Sequence, residues 1–290
     1  MQFRFVPFEE IDKNKWNGAV HYSPHGNIYG YHWYLKSVIK KWDAIVEGDY
    51  QSVMPVFRDP LTSFQLLLLP EMGPYSVNAL TDKRCEQFYT LWEKYSADKA
   101  YSFNHAYTTQ LFKISGQTLQ QKQQVYLDLT MPYDKIVELY NPSATTMMIT
   151  SSNEAFEFGG QGKPDHLLEK EHLHHEEKST LYRLYYNAVS RGAGWHTLIK
   201  NPTTGKQADA FVLTNHKDLY ISYLGQNNDK VSTFKLLDTL LKSSSGKPSR
   251  LFLPTALTEN FLSNSLNNID VLFSSSKKQS WVEKWMSRLG

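Results

Sequence analysis

The sequence predicts an α+β fold, organised as two tandem units that each combine a mixed, largely antiparallel sheet with flanking helices. The chain has 290 residues, enough for one large domain or two ordinary ones. The stretch Asn27–Phe57 changes from helical to alternating periodicity within a short span. The predicted order of a helix, three strands, a helix and a strand occurs in Tyr31–His105 and again in Thr180–Pro254. Two copies of one α+β unit explain this recurrence most simply.

The stretch Asn27–Phe57 is predicted to form a helix followed by a β-hairpin. Apolar residues recur at the spacing of one helical face within Tyr31–Ile39. Alternation within Trp42–Glu47 then favours a half-buried strand. We expect Gly48-Asp49 to be a two-residue turn, because Gly readily takes the positive φ that such turns require. A second strand, Gln51–Phe57, completes the hairpin.

The remaining elements of the first half follow from caps, periodicity and turn residues. Asp12 is expected to cap a helix that ends near Val20, and Ser63–Leu69 is expected to be a third apolar strand. Thr81-Asp82 is predicted to start a strongly amphipathic helix. The Ser-, Thr- and Gly-rich stretch Asn141–Pro164 suggests a domain boundary, which divides the chain into units 1–145 and 146–290.

The second half is predicted to contain a three-stranded meander, a helix and a further strand. Strong turn signals separate the strands of the meander. The predicted elements are the strands Trp195–Lys200, Gln207–Thr214 and Leu219–Leu224, the helix Ser232–Lys242 and the strand Arg250–Pro254.

Composition and charge limit the classes of function. Lys and Arg number 31 against 29 Asp and Glu, a formal net charge of +2, with no basic cluster typical of a nucleic-acid-binding surface. The single cysteine, Cys85, favours a reducing compartment, and no apolar run reaches the roughly 20 residues that cross a bilayer. The sequence therefore predicts a cytoplasmic protein without membrane insertion.

A segment rich in histidine and glutamate is the one candidate for a metal site. Its residues are His166, His172, His174, His175, Glu176 and Glu177. They lack the His-Glu-x-x-His order of zinc enzymes, and their alternation with Lys is typical of a solvated helix face. We predict no metal site here.

The element order resembles that of GNAT-type acyltransferases, and two such units in one chain resemble the FemABX-like group. The opening stretch is similar to a mainly bacterial branch with this tandem fold. The matching residues are Ile28-Tyr29, Trp33-Tyr34-Leu35, Trp42-Asp43-Ala44, Gly48-Asp49-Tyr50 and Val53-Met54-Pro55. The order of the predicted elements resembles that of this group over most of the chain, whereas the amino-acid sequence resembles it strongly only over Ile28–Pro55. FemABX-like proteins move amino acids onto peptidoglycan precursors.

The resemblance implies an N-acyltransferase or aminoacyltransferase that acts in a cleft between the two units. It would use acyl-CoA or aminoacyl-tRNA as co-substrate, without a covalently bound cofactor, and a small-molecule or peptide amine as acceptor. The weak basic excess argues against tRNA and other nucleic acids, although a tRNA donor stays open. A catalytically degenerate binding or assembly protein is the alternative. The junction Tyr140–Met148 favours it, because it holds no Arg or Lys to grip a phosphate or carboxylate.

Site residues follow from the positions that the resemblance implies. The loop before the helix at Ser232 lies where the resemblance implies the pyrophosphate loop of GNAT proteins, with Ser232 as the expected helix cap, and a loop that only caps its helix stays open. The candidates there are Gly225, Gln226, Asn227 and Ser232. The candidates for the substrate cleft are Tyr29, Trp33, Tyr34, Asn104 and Asn141. Those for catalysis are His105, Tyr34 and Tyr223, and a structural, hydrogen-bonded role stays open for His105.

Overall fold

The computed structural model describes residues 2–96, 101–103, 120–159, 173–224, 229–262 and 267–274. The chain forms two compact units. The first contains the described residues up to Gln123 together with Ile269–Ser274, and the second contains those of Gln124–Asn268. The division into 1–145 and 146–290 stays a prediction about the repeated units.

Both units contain helices and strands. The described helices are α1 (Lys13–Tyr22), α2 (His32–Val38), α3 (Ser63–Leu68), α4 (Asp82–Tyr95), α5 (Tyr133–Val137), α6 (Pro142–Ser152), α7 (His175–Ser190), α8 (Lys230–Ser244) and α9 (Thr255–Phe261). The described strands are β1 (Phe3–Val6), β2 (Asp43–Glu47), β3 (Ser52–Val56), β4 (Tyr75–Ser76), β5 (Tyr101–Phe103), β6 (Gln120–Asp128), β7 (Glu157–Gly159), β8 (Gly194–Lys200), β9 (Gln207–Thr214), β10 (Asp218–Leu224), β11 (Arg250–Phe252) and β12 (Asn267–Ser274). Within the part of the chain that the structure describes, no helix is both long and apolar enough to cross a membrane.

The sheet of the first unit is an antiparallel meander in the order β1-β2-β3-β4. Strand β5 pairs antiparallel with β12, where Phe103 lies opposite Leu272. The predicted hairpin is present, but β2 is buried along its whole length rather than on one face. Helices contact this sheet: Trp16 of α1 lies 4.5 Å from Trp42, and Phe88 of α4 lies 4.9 Å from Phe3, measured between ring centroids.

The sheet of the second unit is mixed and runs in the order β6-β11-β10-β9-β8-β7. All of its described neighbours are antiparallel except β10 and β11, which are parallel and connected through α8. The core that joins α8 to this sheet contains Phe234, Leu237 and Leu241 of the helix with Ala208 and Ala210 of β9. The order α7-β8-β9-β10-α8-β11 repeats the first unit's α2-β2-β3-β4-α4-β5, apart from the insertion of α3.

The segment Ser63–Leu69 was expected to be a strand, and this prediction is wrong because residues Ser63–Leu68 form helix α3. A capping box starts the helix. Gln65 N–H donates to Thr62 Oγ1 at 3.2 Å, and Thr62 N–H donates to Gln65 Oε1 at 2.9 Å. Phe64 and Leu68 are buried. The apolar run suited either structure, and the reciprocal cap favours the helix.

The hairpin turn also differs from the predicted one. Glu47 pairs with Ser52, so the connection is the four residues Gly48–Gln51 rather than two. Both Gly48 and Tyr50 have positive φ, 57° and 64°. A left-handed conformation is unusual for Tyr. The hydroxyl of Tyr50 accepts a hydrogen bond from Asp12 N–H at 2.9 Å. This contact tethers the turn to the cap of α1.

The stretch Asn141–Pro164, which suggests a domain boundary in the sequence, begins with helix α6. Asn141 Oδ1 accepts from Ala144 N–H at 2.8 Å, and Pro142 takes the first helical position, where no amide hydrogen is needed. Asn141-Pro142 therefore starts a helix, whereas the preceding helix α5 already ends at Val137.

Candidate active site

The parallel strands β10 and β11 separate at their carboxyl ends. Their register covers three pairs, from Asp218 opposite Arg250 to Tyr220 opposite Phe252. Beyond Tyr220, β10 continues to Leu224 alongside β9 with a register shift, whereas β11 ends and Leu253 N–H donates to Val125 O of β6. Ligands of open α/β sheets bind in the crevice outside the carboxyl ends of parallel strands. We call this feature the β10–β11 crevice.

A buried ion pair closes the opposite end of the same strand pair. The Arg250 guanidinium donates to Asp218 Oδ1 at 2.7 Å and to Oδ2 at 2.8 Å. The Asp218 side chain is 1% exposed and that of Arg250 32% exposed. Arg250 also lies over the ring of Phe252, at 5.2 Å from its centroid. The ion pair therefore holds the amino ends of β10 and β11 together, whereas the carboxyl ends of the two strands separate.

The amino end of α8 follows β10 in the chain and lies against the start of β9, where Asp229 N–H donates to Gln207 O at 3.0 Å, and it already carries an anion. Asp229 is the cap, and its Oδ2 accepts from Ser232 N–H at 3.0 Å and from the Ser232 hydroxyl at 3.1 Å. Lys206 Nζ lies 3.3 Å from Asp229 Oδ1. Burial tends to raise the pKa of Asp229, but the bonds from Ser232 and the charge of Lys206 outweigh it and lower that pKa. A carboxylate therefore occupies the helix terminus that would otherwise favour an anionic ligand.

The predicted role of Ser232 as the cap is wrong, because Asp229 fills that position three residues earlier. Ser232 is buried, and both of its donors are used on Asp229. Tyr223 lies on β10 opposite Phe211 of β9, next to the crevice. Gly225, Gln226 and Asn227 lie outside the described residues, so their binding role stays a prediction.

The predicted cleft residues of the first unit form a packed aromatic cluster. Tyr34 is fully buried, and its hydroxyl donates to Leu68 O at 2.8 Å. The ring of Tyr29 lies 5.4 Å from that of Tyr34, and the ring of Trp33 lies 5.6 Å from it. Tyr29 is buried and Trp33 half-buried. These positions support the fold, and the Tyr34 hydroxyl is bonded to the backbone, while the role of the cluster in a substrate cleft stays a prediction.

The other predicted residues have structural positions or fall outside the description. Asn141 caps α6 through its side-chain oxygen, and its N–H donates to Phe261 O at 3.1 Å. Asn104 and His105 lie outside the described residues, so their predicted roles are unchanged. The same holds for His166 and His172 of the histidine-rich segment. Among the residues that are described, no three His, Cys, Asp or Glu side chains cluster as metal ligands would.

A buried cluster of two tyrosines and one aspartate was missed from the sequence. The hydroxyls of Tyr133 and Tyr140 both donate to Asp238 Oδ1, the second at 2.9 Å. Burial, reinforced by the Asp238 charge, raises the pKa of Tyr140 far above its usual value. An acid on the apolar face of α8, between Phe234 and Leu241, was the signal that could have revealed the cluster. The cluster ties α5 to α8.

A buried histidine–aspartate pair was also missed. His196 Nε2 lies 3.0 Å from Asp209 Oδ2, with side-chain exposures of 0% and 8%. Ala208 and Ala210 face α8, so Asp209 between them points to the opposite face, where Phe211 contacts Tyr185 of α7 at 5.2 Å. His196 Nδ1 is buried without a hydrogen-bond partner among the described residues.

The histidine–aspartate pair lies near the edge of the sheet at which β10 ends. Ala210 lies opposite Leu224, the last residue of β10, so Asp209 lies one strand away from the edge where β10 ends. A carboxylate held by an imidazole is suited to accept a proton, directly or through one water. The sequence signal was a polar residue at an inward position of each of two apolar strands, β8 and β9.

The two sheets, their flanking helices and the β10–β11 crevice define a two-unit, GNAT-like α+β fold of the FemABX type, as the sequence predicted. No family model matches the sequence, and no curated protein matches it.

Solved structures show this fold. The crystal structure of FemX is similar with a TM-score of 0.60 at 10% identity, and the match covers 100% of this chain and 93% of FemX. A conserved protein of unknown function from Bacteroides thetaiotaomicron VPI-5482 gives a TM-score of 0.58 at 10% identity, over 93% of this chain and 100% of that one. A probable N-acyltransferase from Enterococcus faecalis V583 gives only 0.38 at 8% identity, over 94% of this chain and 72% of that one.

Proposed function

We propose that the protein is an N-acyltransferase or aminoacyltransferase whose acyl donor binds in the β10–β11 crevice. The parting of the two parallel strands at their carboxyl ends is the observation that carries this proposal. The FemX-like fold supports it, because the resemblance to FemABX-like proteins implies acyl transfer to an amine. The donor would be an acyl-CoA or an aminoacyl-tRNA, and the acceptor the amine of a small molecule or peptide.

The proposed reaction forms one bond and breaks another. The amine nitrogen attacks the acyl carbonyl carbon, the new C–N bond forms, and the C–S bond of a thioester or the C–O bond of an aminoacyl ester breaks. The amine gives up one proton, and the leaving thiolate or alkoxide takes one up. We assign proton acceptance to Asp209, through a water, with His196 as the residue that positions its carboxylate.

A binding or assembly protein without catalysis is the second candidate. The carboxylate of Asp229 at the amino end of α8 favours it, because that end would otherwise hold a pyrophosphate. The cleft predicted between the two units belongs to the first candidate and stays a prediction.

Two measurements separate these candidates. Radiolabelled acetyl-CoA and alanyl-tRNA are incubated with the protein and with glycinamide or a short lysine peptide, and label in the amide product is counted. The melting temperature is followed with each donor, since a ligand at about 100 times its Kd adds roughly 2.7 kcal/mol to the unfolding free energy. The acyltransferase proposal requires both a thermal shift and labelled product. Failure of both with every donor would leave the binding protein as the supported candidate.

A further inference from the structure

A row of polar side chains lies at one end of the sheet of the first unit. Glu47 is the last residue of β2 and pairs with Ser52, the first residue of β3. Ser52 pairs in turn with Ser76, the last residue of β4. Because directly paired residues point to the same face of a sheet, the three side chains form one row. All three residues are buried.

Arg84, in the first turn of α4, covers this row. Its Nε donates to Glu47 Oε1 at 2.9 Å and to Glu47 Oε2 at 3.2 Å. Its Nη2 donates to Glu47 Oε2 and, at 2.8 Å, to Ser52 Oγ, while Nη1 donates to Ala79 O at 2.8 Å. The side chain of Glu47 is 2% exposed and that of Arg84 20% exposed. A carboxylate of the chain therefore fills the guanidinium fork, in the paired geometry by which arginine binds anionic ligands. We call this site the β2–α4 corner.

The second unit has a counterpart of this corner at the start of α8. Gln207, the first residue of β9, takes the place of Ser52, and its carbonyl accepts from Asp229 N–H at 3.0 Å. There too an ion pair links the strand end to the helix start, because Lys206 Nζ lies 3.3 Å from Asp229 Oδ1. That pair is open to solvent, with side-chain exposures of 61% and 21%. The pair of the first unit is the buried one of the two.

We propose that Glu47 acts as an internal ligand in an anion-binding site that Arg84 forms at the β2–α4 corner. Once that carboxylate is removed, the site takes a phosphate or pyrophosphate, because the guanidinium fork matches carboxylate and phosphate oxygens alike. The corner has the same place in the repeat as the start of α8, and its relation to donor binding rests on the proposed function. In the unchanged protein, Glu47 therefore closes this corner of the first unit to an anionic donor.

A buried ion pair with only a structural role is the alternative. Removing one partner of such a pair leaves an uncompensated charge that destabilises the protein, whether or not a phosphate is added. Two observations favour the anion site instead. Ser52 Oγ and Ala79 O accept from N–H groups of Arg84, and these bonds hold its guanidinium without Glu47. The Arg84 side chain also reaches solvent, so an anion larger than a carboxylate can keep its outer part in water.

The experiment follows the melting temperature of variants with inorganic pyrophosphate, with acetate, and with sodium chloride at matched ionic strength. The variants are E47A and the double variant E47A/R84Q. E47S, which keeps a hydroxyl beside Arg84, replaces E47A if that variant does not fold. The matched control is D218A, because Asp218 is also a buried acid bound to an arginine, Arg250. Isothermal titration calorimetry of the folded variants then measures the Kd of pyrophosphate.

The proposal predicts that pyrophosphate raises the melting temperature of E47A by about 3 °C or more beyond its effect on the unchanged protein. The excess should disappear in E47A/R84Q and be absent from D218A. The proposal is overturned if E47A responds no more than the unchanged protein, if acetate stabilises E47A and pyrophosphate does not, or if D218A or the double variant responds as strongly.

This test is independent of acyl transfer, because it uses an inorganic anion. A protein without transferase activity that shows the E47A response would refute the proposed function and support the site at the β2–α4 corner. An active enzyme whose E47A variant shows no such response would do the reverse.

Discussion

The side chain of Asp229 accepts both donors of Ser232, the amide at 3.0 Å and the hydroxyl at 3.1 Å, and so places a carboxylate on the amino end of α8. This end lies after β10, at the edge where the crevice opens. Any anionic group of a donor that approaches it meets that negative charge. The same contact that stabilises the helix therefore opposes the binding of a pyrophosphate.

Replacing Asp229 by Asn should strengthen the binding of acetyl-CoA. Asn caps helices as well as Asp does, so α8 keeps its start while the negative charge is lost. A charge at a helix terminus contributes about 0.3–1 kcal/mol, which corresponds to a Kd about two- to fivefold lower. Isothermal titration calorimetry at low ionic strength measures the Kd of acetyl-CoA. The control is D49N, because Asp49 is an exposed acid of the first unit. Unchanged affinity in D229N would show that no anion of the donor approaches α8.

The same residue gives a pH dependence of stability. The pKa of Asp229 is lowered in the folded protein, so its contribution to stability is present above its unfolded pKa, about 3.9, and is lost as the pH falls through the folded value. The D229N variant should therefore lose less stability than the unchanged protein between pH 5 and the acid limit of folding. Urea unfolding at several pH values measures this difference, and parallel curves for the two proteins would contradict it.

The variant D209N should lose acyl transfer while it still binds the donor. The amide keeps the shape of the carboxylate and its contact with His196, but it cannot accept the proton of the amine. Loss of a general base lowers rates by about 10²–10⁴-fold. Rate and donor affinity are measured separately, and D238N, which changes a different buried acid, is the control. A D209N protein with the full rate would remove Asp209 from the mechanism.

Replacing Asp238 by Leu should destabilise the protein, because it removes the acceptor of the buried Tyr140 hydroxyl and of the half-buried Tyr133 hydroxyl. An unsatisfied buried group costs about 1–3 kcal/mol, and the Tyr133 hydroxyl can bond to water instead, so the free energy of unfolding should fall by roughly 1–3 kcal/mol. Asp238→Asn retains an acceptor oxygen and should cost less than about 1.5 kcal/mol. Urea unfolding compares the two, and equal losses would show that the hydroxyls do not depend on this acceptor.

Cys85 should be unreactive in the folded protein. Burial, with a smaller effect of Asp82, raises its thiol pKa to about 11, so little thiolate exists at neutral or mildly alkaline pH. Reaction with a chromogenic disulfide reagent at pH 8 should be slow in the native protein and rapid in urea, where the single thiol is released. Equal rates in both conditions would contradict the buried position of the side chain.

The sequence predicted the elements whose periodicity and caps agree. The turn signals that bound β8 and β9 and the helical spacing of α4 each pointed to one structure, and the described elements match them. It failed at Ser63–Leu68, where a short apolar run suits a strand and a helix equally and the Thr62 cap decides. The Ser- and Thr-rich composition after Asn141 did not reveal α6, whose start depends on the Asn141 cap and on Pro142 at the first helical position.

The candidate site was less predictable than the fold. The crevice depends on where the pairing of β10 and β11 stops, which no residue pattern in either strand encodes alone. The contact between His196 and Asp209 joins residues on two strands, so it requires the register between β8 and β9. Tyr34 was selected as an aromatic residue that could line the cleft, and its hydrogen bond to Leu68 O gives it a structural role.

Amide hydrogen exchange with and without a donor tests the central claim most directly. Saturating acetyl-CoA and, separately, alanyl-tRNA are added, and exchange is read for Ile221–Leu224 of β10 and, as a reference, for Ser52–Val56 of β3. If the donor binds in the β10–β11 crevice, exchange at Ile221–Leu224 slows while exchange in the reference strand does not change. Donor binding that leaves the amides of Ile221–Leu224 unprotected would contradict the proposed site.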